Sequence, residues 1–227
     1  MEIIPNLHLV PGVIAHSYLI VDADGLTLID TGLALTWRRI LRYITHIGHT
    51  PDSLRRIIVT HSDGDHAGGL AALTAASGAR TYASAVEAEA ITAGHVPREL
   101  NLSGMPSMLL RLSAPLFRVA PVLVDKHLTV GQVLPVLDGL QVLETPGHTP
   151  GHISLFMPSA GVLFAGDSIA HRGGKIRPPF SISTWNQEKA LESFRKQANL
   201  RPSIICLGHG PVVREAAGKF PFEAHHQ

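Results

Sequence analysis

The chain alternates short aliphatic runs with turn residues and with stretches of helical periodicity. In the first half, aliphatic runs separated by turn residues predict strands at 7–10, 15–22, 26–30, 55–60 and 79–83. Apolar residues three and four positions apart predict helices at 35–47 and 67–76, and a third helix that begins at the capping box 84–87. We therefore expect antiparallel strands first and alternating strands and helices afterwards.

The second half of the chain has the same pattern. Short apolar runs predict strands at 134–137, 140–144, 152–157, 162–165 and 203–207. A cap at 184–187 predicts a helix that runs to about Leu200. Because no repeat, low-complexity tract or linker interrupts the pattern, it predicts one domain over residues 1–227, with a layered α/β or α+β architecture.

The composition mainly excludes certain partners and locations. Apolar residues make up 45% of the chain, enough for a substantial core, and a formal net charge of +1 gives no field to attract nucleic acid or an anionic membrane. The only cysteine, Cys206, has no thiol partner. The first residues have no basic stretch before an apolar core, and no apolar run is long enough for a membrane span, so we expect neither a signal peptide nor a membrane span. We expect a soluble cytoplasmic protein whose partner is a small-molecule substrate, with no nucleic-acid or membrane partner.

The residues that carry chemistry are concentrated between a predicted strand and a predicted helix. Four potential metal ligands lie within six positions there: His61, Asp63, Asp65 and His66. A loop at a strand end can turn alternate side chains toward one point, so His61 and Asp63 can meet on one ion while Asp65 and His66 reach a second. The alternative is a solvated polar loop whose Asp residues cap the following helix.

Three later segments favour the metal interpretation, because each places a His or an Asp, with glycine beside it, shortly after a predicted strand. The residues concerned are His148, Asp167 and His209. Every candidate ligand thus lies near a strand end, where side chains from separate strands can meet. No Ser-His-Asp arrangement is visible that would favour a protein nucleophile instead.

At this point the chain resembles the metallo-β-lactamase superfamily, whose ligand motif is His-x-His-x-Asp-His followed in order by a His, an Asp and a final His. The resemblance spans roughly residues 6–210, and Asp30 in Leu28–Gly32 is similar to the family's early Asp-x-Gly element. It implies an α+β fold of two packed mixed β-sheets with helices outside, a four-layer αβ/βα sandwich. It also implies that Asp30 braces the ligand loop.

Carried over by position, the resemblance implies a centre for two divalent metal ions. The first ion would be bound by His61 and His148, the second by Asp65, His66 and His209, with Asp167 bridging the two. Asp65 and Asp167 would also be the catalytic carboxylates, because they can orient the attacking water and take up its proton. His152 is not a ligand position in that pattern, and we expect a structural role for it.

The departure from the family motif is Asp63, which stands where a second His is usual. A carboxylate is a harder ligand than imidazole and adds negative charge, so zinc is the first expectation and manganese or iron become acceptable. Flavodiiron proteins of the same superfamily also place a carboxylate here. A water-mediated contact and a one-metal site are the alternatives to direct coordination by Asp63.

The resemblance further implies hydrolysis by a metal-bridged hydroxide of an ester, lactone or phosphotriester-type bond in a small substrate, and the apolar stretch 105–119 favours an apolar one. The chain is similar to the lactonase and glyoxalase II branch of the superfamily. Acyl-homoserine lactonases, however, usually have a Tyr where Ala170 stands, which speaks against that activity. Glyoxalase II enzymes carry a C-terminal helical region for glutathione, and the short remainder after His209 disfavours glutathione thioesters.

Three other functions remain open on the residues alone. A mononuclear iron oxygenase similar to persulfide dioxygenases would use His61, His148 and Asp167 as a two-His-one-carboxylate triad. A β-lactam hydrolase would use the same metal ligands on a different substrate. A non-catalytic metal-binding protein would retain metals without turnover.

Two segments are candidates for the substrate pocket. The apolar stretch 105–119, with Met108 and Leu109, predicts a flap over the metals, although the same stripe is typical of core packing or of a homodimer contact. His171 and Arg172 follow the bridging Asp closely enough to line the pocket mouth. The alternative for these two residues is a solvated basic loop.

Overall fold

A computed structural model describes residues 1–10, 15–97 and 117–221, which form two compact units. Unit 1 comprises the described residues up to 97 together with 117–127. Unit 2 comprises residues 128–221.

The first sheet has seven strands whose order follows the chain. Its strands are β1 Glu2–Ile4, β2 Leu7–Leu9, β3 Tyr18–Asp22, β4 Gly25–Ile29, β5 Leu54–Ile58, β6 Arg80–Ser84 and β7 Lys126–Leu128. Strands β1 to β4 pair antiparallel, whereas β4, β5 and β6 pair parallel, so the sheet is mixed. The parallel strands are joined through helices, because a parallel connection needs a crossover.

The helices of unit 1 are α1 Trp37–His46, α2 Gly64–Ala67, α3 Leu70–Ser77 and α4 Ala85–Ala93. The single helix expected at 67–76 is divided into α2 and α3, and α2 begins earlier, at Gly64. The division comes at Gly68 and Gly69, where the Gly69 amide donates to the Gly32 carbonyl. The chain is thereby pinned to the loop that follows β4, close to Asp30.

One apolar cluster holds unit 1 together. Ile40 and Ile44 on α1, Leu28 on β4, Ile57 on β5 and Leu70 on α3 are fully buried members of it. Complete burial of one such side chain contributes about 1.5–3 kcal/mol. The core therefore fixes the ends of β4 and β5, from which the candidate ligand loop and its support extend.

Unit 2 contains the second sheet and a two-stranded ribbon. Its strands are β8 Val133–Leu134, β9 Leu140–Glu144, β10 Ile153–Met157, β11 Val162–Gly166, β12 Ala170–Arg172, β13 Lys175–Arg177, β14 Ile204–Leu207 and β15 Val213–Arg214. The six-stranded sheet has the order β15-β14-β11-β10-β9-β8, and β12 and β13 form the ribbon. Only the β11–β14 pair is parallel among the recorded pairings of this sheet, which is therefore mixed as well.

Helix α5, Gln187–Asn199, packs on the second sheet through an apolar cluster. Phe194 of α5 is fully buried and contacts Phe220 at 5.4 Å between ring centroids. Every residue of β10 and β11 is buried, which explains why these strands show no alternation of apolar and polar residues; Ser154 is the one polar residue in them.

The α+β prediction is confirmed: the described residues contain two mixed β-sheets, a two-stranded ribbon and helices. None of the helices in the described ranges is both long enough and apolar enough to cross a membrane.

Candidate metal centre

The candidate ligands of unit 1 lie on the connection from β5 to α2. His61 and His66 are fully buried, with ring centroids 4.1 Å apart. Asp63 has extended backbone and precedes the first turn of α2, where its carbonyl accepts from the amides of His66 and Ala67. His61 Nε2 lies 3.6 Å from Asp63 Oδ2.

A buried aspartate, Asp30, supports this connection from the end of β4. Its carboxylate accepts hydrogen bonds from the backbone amide and the hydroxyl of Thr60, both at 2.8 Å. The same carboxylate lies 2.8 Å from His66 Nδ1. Asp30 has a φ of +58°, a left-handed conformation that Asp tolerates better than most residues. The Asp30 carboxylate thus contacts both ends of the segment 60–66, which carries the candidate ligands.

These contacts also determine which ring nitrogen each His offers. Because Asp30 accepts from His66 Nδ1, the Nε2 atom of His66 is the one available for a metal. The Thr60 hydroxyl has one proton, which it donates to Asp30, so it accepts from His61 Nδ1 at 3.0 Å. Asp30 therefore selects the same tautomer in both imidazoles, with Nε2 as the ligand atom.

Gly64 allows two segments of backbone to approach each other closely. A Cβ built on Gly64 would lie 1.9 Å from the carbonyl oxygen of Phe117. Residue 64 must therefore be glycine because the backbone at 117 passes directly against it.

The candidate ligands of unit 2 come from three separate strand ends. His148 follows β9, Asp167 follows β11 directly, and His209 follows β14. Strands β9, β11 and β14 run in the same direction within the sheet, so their carboxyl ends lie at one edge. His148 Nε2 and His209 Nε2 lie 3.6 Å and 3.4 Å from Asp167 Oδ2.

The three His–Asp distances fit residues that share a metal ion. They exceed the usual length of about 2.7–3.2 Å for an N–H···O hydrogen bond. Two ligand atoms bound to one tetrahedral ion, each at about 2.0–2.1 Å, lie about 3.3 Å apart. Imidazole nitrogen and carboxylate oxygen are the donors that zinc, manganese and iron accept. All seven predicted ligands are members of His and Asp groups that could hold a metal ion.

The loop that carries His148 is fastened to the start of α5. The carbonyls of Gly147 and His148 accept from the amides of Asn186 and Trp185, at 2.9 and 3.1 Å. Gly147 has a φ of +140°, and a Cβ there would lie 2.4 Å from the Cα of Ala190. Only glycine allows this close approach.

His152 supports the centre without being one of the candidate ligands, as the family pattern led us to expect. Its Nε2 accepts from the backbone amide of Asp167 at 3.1 Å. Its Nδ1 lies 2.8 Å from the hydroxyl of Thr145, which also contacts Ser154. Ser154 and Ser168 in turn donate to Gln197 Oε1 on α5. A buried network of neutral groups therefore orients the backbone at Asp167.

A cavity of ≈ 140 Å³ in unit 2 opens beside these ligands. Besides His148, Asp167 and His209, its wall contains Ile169, Ala170, His171, Pro179, Phe180, Ser183 and Gly210. His171 thus lies in the wall, as the sequence suggested. Arg172 is not part of it; its guanidinium stacks on the Phe180 ring, 4.3 Å from the centroid. Met108 and Leu109 lie outside the described residues.

Several supporting residues were not foreseen from the sequence. These are Thr60, Ser62, Glu87, Thr145, Ser154, Ser168, Gln197, Phe180 and Ser183. Small hydroxyl residues next to the ligand motifs were the available signal, but their partners come from distant elements. Cys206 is buried and lies outside the candidate ligand groups. Burial raises the pKa of its thiol far above the usual range, which keeps it protonated and a poor ligand.

Residues 10–209 match the family model of the metallo-β-lactamase superfamily. The chain belongs to this superfamily. The match includes the whole described ligand set, from His61 to His209. The fold is thus that of this superfamily.

Curated relatives within the superfamily include hydrolases. The chain is 30% identical over 172 residues to the probable metallo-hydrolase YflN of Bacillus subtilis, covering 69% of this chain and 64% of YflN. It is also 30% identical over 158 residues to a hydroxyacylglutathione hydrolase of Cereibacter sphaeroides, covering 69% of this chain and 48% of that protein. The chain thus spans about half to two thirds of the length of these relatives.

Among solved structures, the chain is similar to a metallo-β-lactamase of Cronobacter sakazakii with a HARLDQ motif. The TM-score is 0.71 at 27% identity, over 92% of this chain and 77% of that one. The six letters of that motif begin with His and have Asp in fifth place, as residues 61–66 do, and like them lack His in third place. This superfamily member is therefore related to metallo-hydrolases and carries His and Asp groups that could bind metal.

Proposed function

We propose that this chain is a dinuclear metal-dependent hydrolase. The ligands would be His61, Asp63 and His148 for one ion, Asp65, His66 and His209 for the other, and Asp167 for both. The observation that carries this proposal is the set of three His Nε2 to Asp Oδ2 distances, 3.4–3.6 Å, each suited to two ligands of one ion. Zinc is the first candidate, and Asp63 makes manganese or iron acceptable.

The remaining roles in catalysis fall to side chains of the protein. Two divalent ions, when bound, supply a water of lowered pKa and polarise the substrate oxygen. Asp65 and Asp167 are proposed to orient the attacking water and to accept its proton on a carboxylate oxygen. Asp30 keeps His61 and His66 in the tautomer with Nε2 as the ligand atom.

The unit 2 cavity supports a small substrate with an apolar part. Ile169, Pro179 and Phe180 contribute apolar wall, while His171 and Ser183 add polar groups. Arg172 covers one face of the Phe180 ring and so holds that ring in place. We propose an ester, lactone or phosphotriester bond as the reacting group. A β-lactam is the second candidate, because the Cronobacter neighbour is a metallo-β-lactamase.

The direct test is activity after reconstitution. Metal-free protein would be loaded separately with zinc, manganese or iron and assayed on ester, lactone, phosphotriester, thioester and β-lactam substrates. We expect turnover of at least one of the first three classes by a loaded form and none by the metal-free protein. Retained metal without turnover on the whole panel would overturn the proposal. So would one iron per chain with oxygen consumption on a persulfide.

The role of Asp63 has its own test. Asp63→His should shift the metal preference toward zinc, because imidazole replaces a harder, charged ligand. The measurement is metal content after competition among equal concentrations of zinc, manganese and iron. Asp138→His, which makes the same change in a turn of unit 2, is the matched control and should leave the profile unchanged. An unchanged profile in Asp63→His would show that Asp63 does not coordinate.

A further inference from the structure

Glu87 is a buried carboxylate in unit 1 that lies outside the proposed ligand set. Its side chain is fully buried in the first turn of α4. Glu87 Oε2 accepts from the backbone amide of Ser62 at 2.8 Å and from the Ser62 hydroxyl at 2.6 Å. A buried carboxylate is costly unless hydrogen bonds of this kind compensate it.

The partner of Glu87 is the residue between two proposed ligands. Ser62 separates His61 from Asp63, and the backbone at Asp63 is extended, with φ −62° and ψ 145°. Successive side chains of an extended segment point to opposite sides. His61 Nε2 and Asp63 Oδ2 lie 3.6 Å apart, so these two side chains share one side, and the contact with Glu87 holds the residue between them.

The N-cap hydrogen bond of α4 uses the backbone amide of Glu87. Ser84 is the N-cap of α4 and accepts from the backbone amide of Glu87 at 3.3 Å. That bond is independent of the Glu87 side chain. Substitution of the carboxylate therefore keeps this hydrogen bond and removes the contact with Ser62.

We infer that Glu87 is a positioning residue for the proposed metal centre: its carboxylate anchors Ser62 and so holds His61 and Asp63 ready to bind metal. This inference rests on the proposed function. Asp30 supports the loop at Thr60 and His66, and Glu87 supports it at Ser62. The loop is thus anchored at both ends and at Ser62 between them.

The experiment compares Glu87→Ala, Glu87→Gln and Ser62→Ala with the wild-type protein. Metal affinity is measured by competition with a chelator, and amide hydrogen exchange at Ser62 is measured in the metal-free protein. Glu87→Ala should lower metal affinity about 10–100-fold, the range for residues that orient ligands, and should speed exchange at Ser62. Glu87→Gln keeps an acceptor oxygen and should stay within a few-fold of wild type on both readouts.

Ser62→Ala removes one of the two hydrogen bonds and should give an intermediate loss of affinity. Glu89→Gln, a neutralisation on the exposed side of the same helix, is the matched control and should change neither readout. If Glu87→Ala does not fold, the Gln and Ser62 variants still decide the question.

Wild-type affinity and exchange in Glu87→Ala would overturn the inference. Equal losses in Glu87→Gln and Glu87→Ala would also overturn it, because a hydrogen-bonding anchor predicts rescue by Gln. If the wild-type protein bound no metal, the proposed function would fail instead. Exchange at Ser62 would then still report whether Glu87 anchors the loop.

Discussion

The two ligand-bearing regions are built in different ways. In unit 1, four candidate ligands share one short connection, and buried carboxylates support it: Asp30 directly and Glu87 through Ser62. In unit 2, three candidate ligands come from three strand ends, and the groups around Asp167 are neutral: His152, Thr145, Ser154, Ser168 and Gln197. His209, with 44% of its side chain exposed, is the least buried of the seven candidate ligands.

The two units therefore differ in how many candidate ligands depend on a single supporting group. A single carboxylate in unit 1 sets two imidazole tautomers and the path of the backbone, so one substitution disturbs several ligands. In unit 2 the sheet itself places the strand ends, and each hydroxyl adds a small increment. Charged hydrogen bonds are also roughly twice as strong as neutral ones. We therefore expect unit 1 supports to be more sensitive to substitution than those of unit 2.

The largest effect among supporting residues should come from Asp30→Asn. One amide oxygen cannot accept from Thr60 N, Thr60 Oγ1 and His66 Nδ1 together. Each buried donor left unsatisfied costs about 1–3 kcal/mol of unfolding free energy. Metal affinity should also fall about 10–100-fold. Denaturant unfolding of the metal-free protein and chelator competition measure the two effects.

Thr60→Val tests the support of His61 separately from that of His66. It removes the hydroxyl link to His61 but keeps the backbone amide bond to Asp30 and the contact with His66. The loss of affinity should therefore be smaller than in Asp30→Asn. An equal or larger loss would contradict the central position given to Asp30.

A smaller effect is expected in unit 2 from Thr145→Val. The change removes the hydroxyl beside His152 Nδ1 and Ser154 Oγ while keeping the side-chain shape. We expect a loss of about 1 kcal/mol in stability and no more than about 10-fold in metal affinity. The same unfolding and competition measurements apply. A loss that exceeds that of Asp30→Asn would refute the comparison between the two regions.

The sequence predicted most of the long elements and all the candidate ligands, for definite reasons. Strand β9 was predicted with its observed bounds, because its apolar residues Leu140, Val142 and Leu143 lie in a short segment between turn residues. The ligand loop could be recognised in the sequence because its four candidate ligands lie within six positions. The separate ligands of unit 2 could be assigned through their order and their positions after strands.

Other features depend on partners distant in the chain. The contact of Gly64 with Phe117 and that of Glu87 with Ser62 involve long-range packing that periodicity does not record. Short strands such as β1 and β12 have three residues each, too few to show alternation. The division between α2 and α3 follows from the hydrogen bond of Gly69 to the loop after β4.

The most direct test of the account is the number of metal ions bound per chain. Wild-type protein reconstituted with zinc and freed of loosely bound metal should contain about two ions per chain by elemental analysis, as expected for a two-metal site. Asp167→Ala should lose at least one ion and its hydrolytic activity while keeping a wild-type circular dichroism spectrum. No more than one ion in the wild-type protein, or two ions with full activity in Asp167→Ala, would contradict the proposed centre.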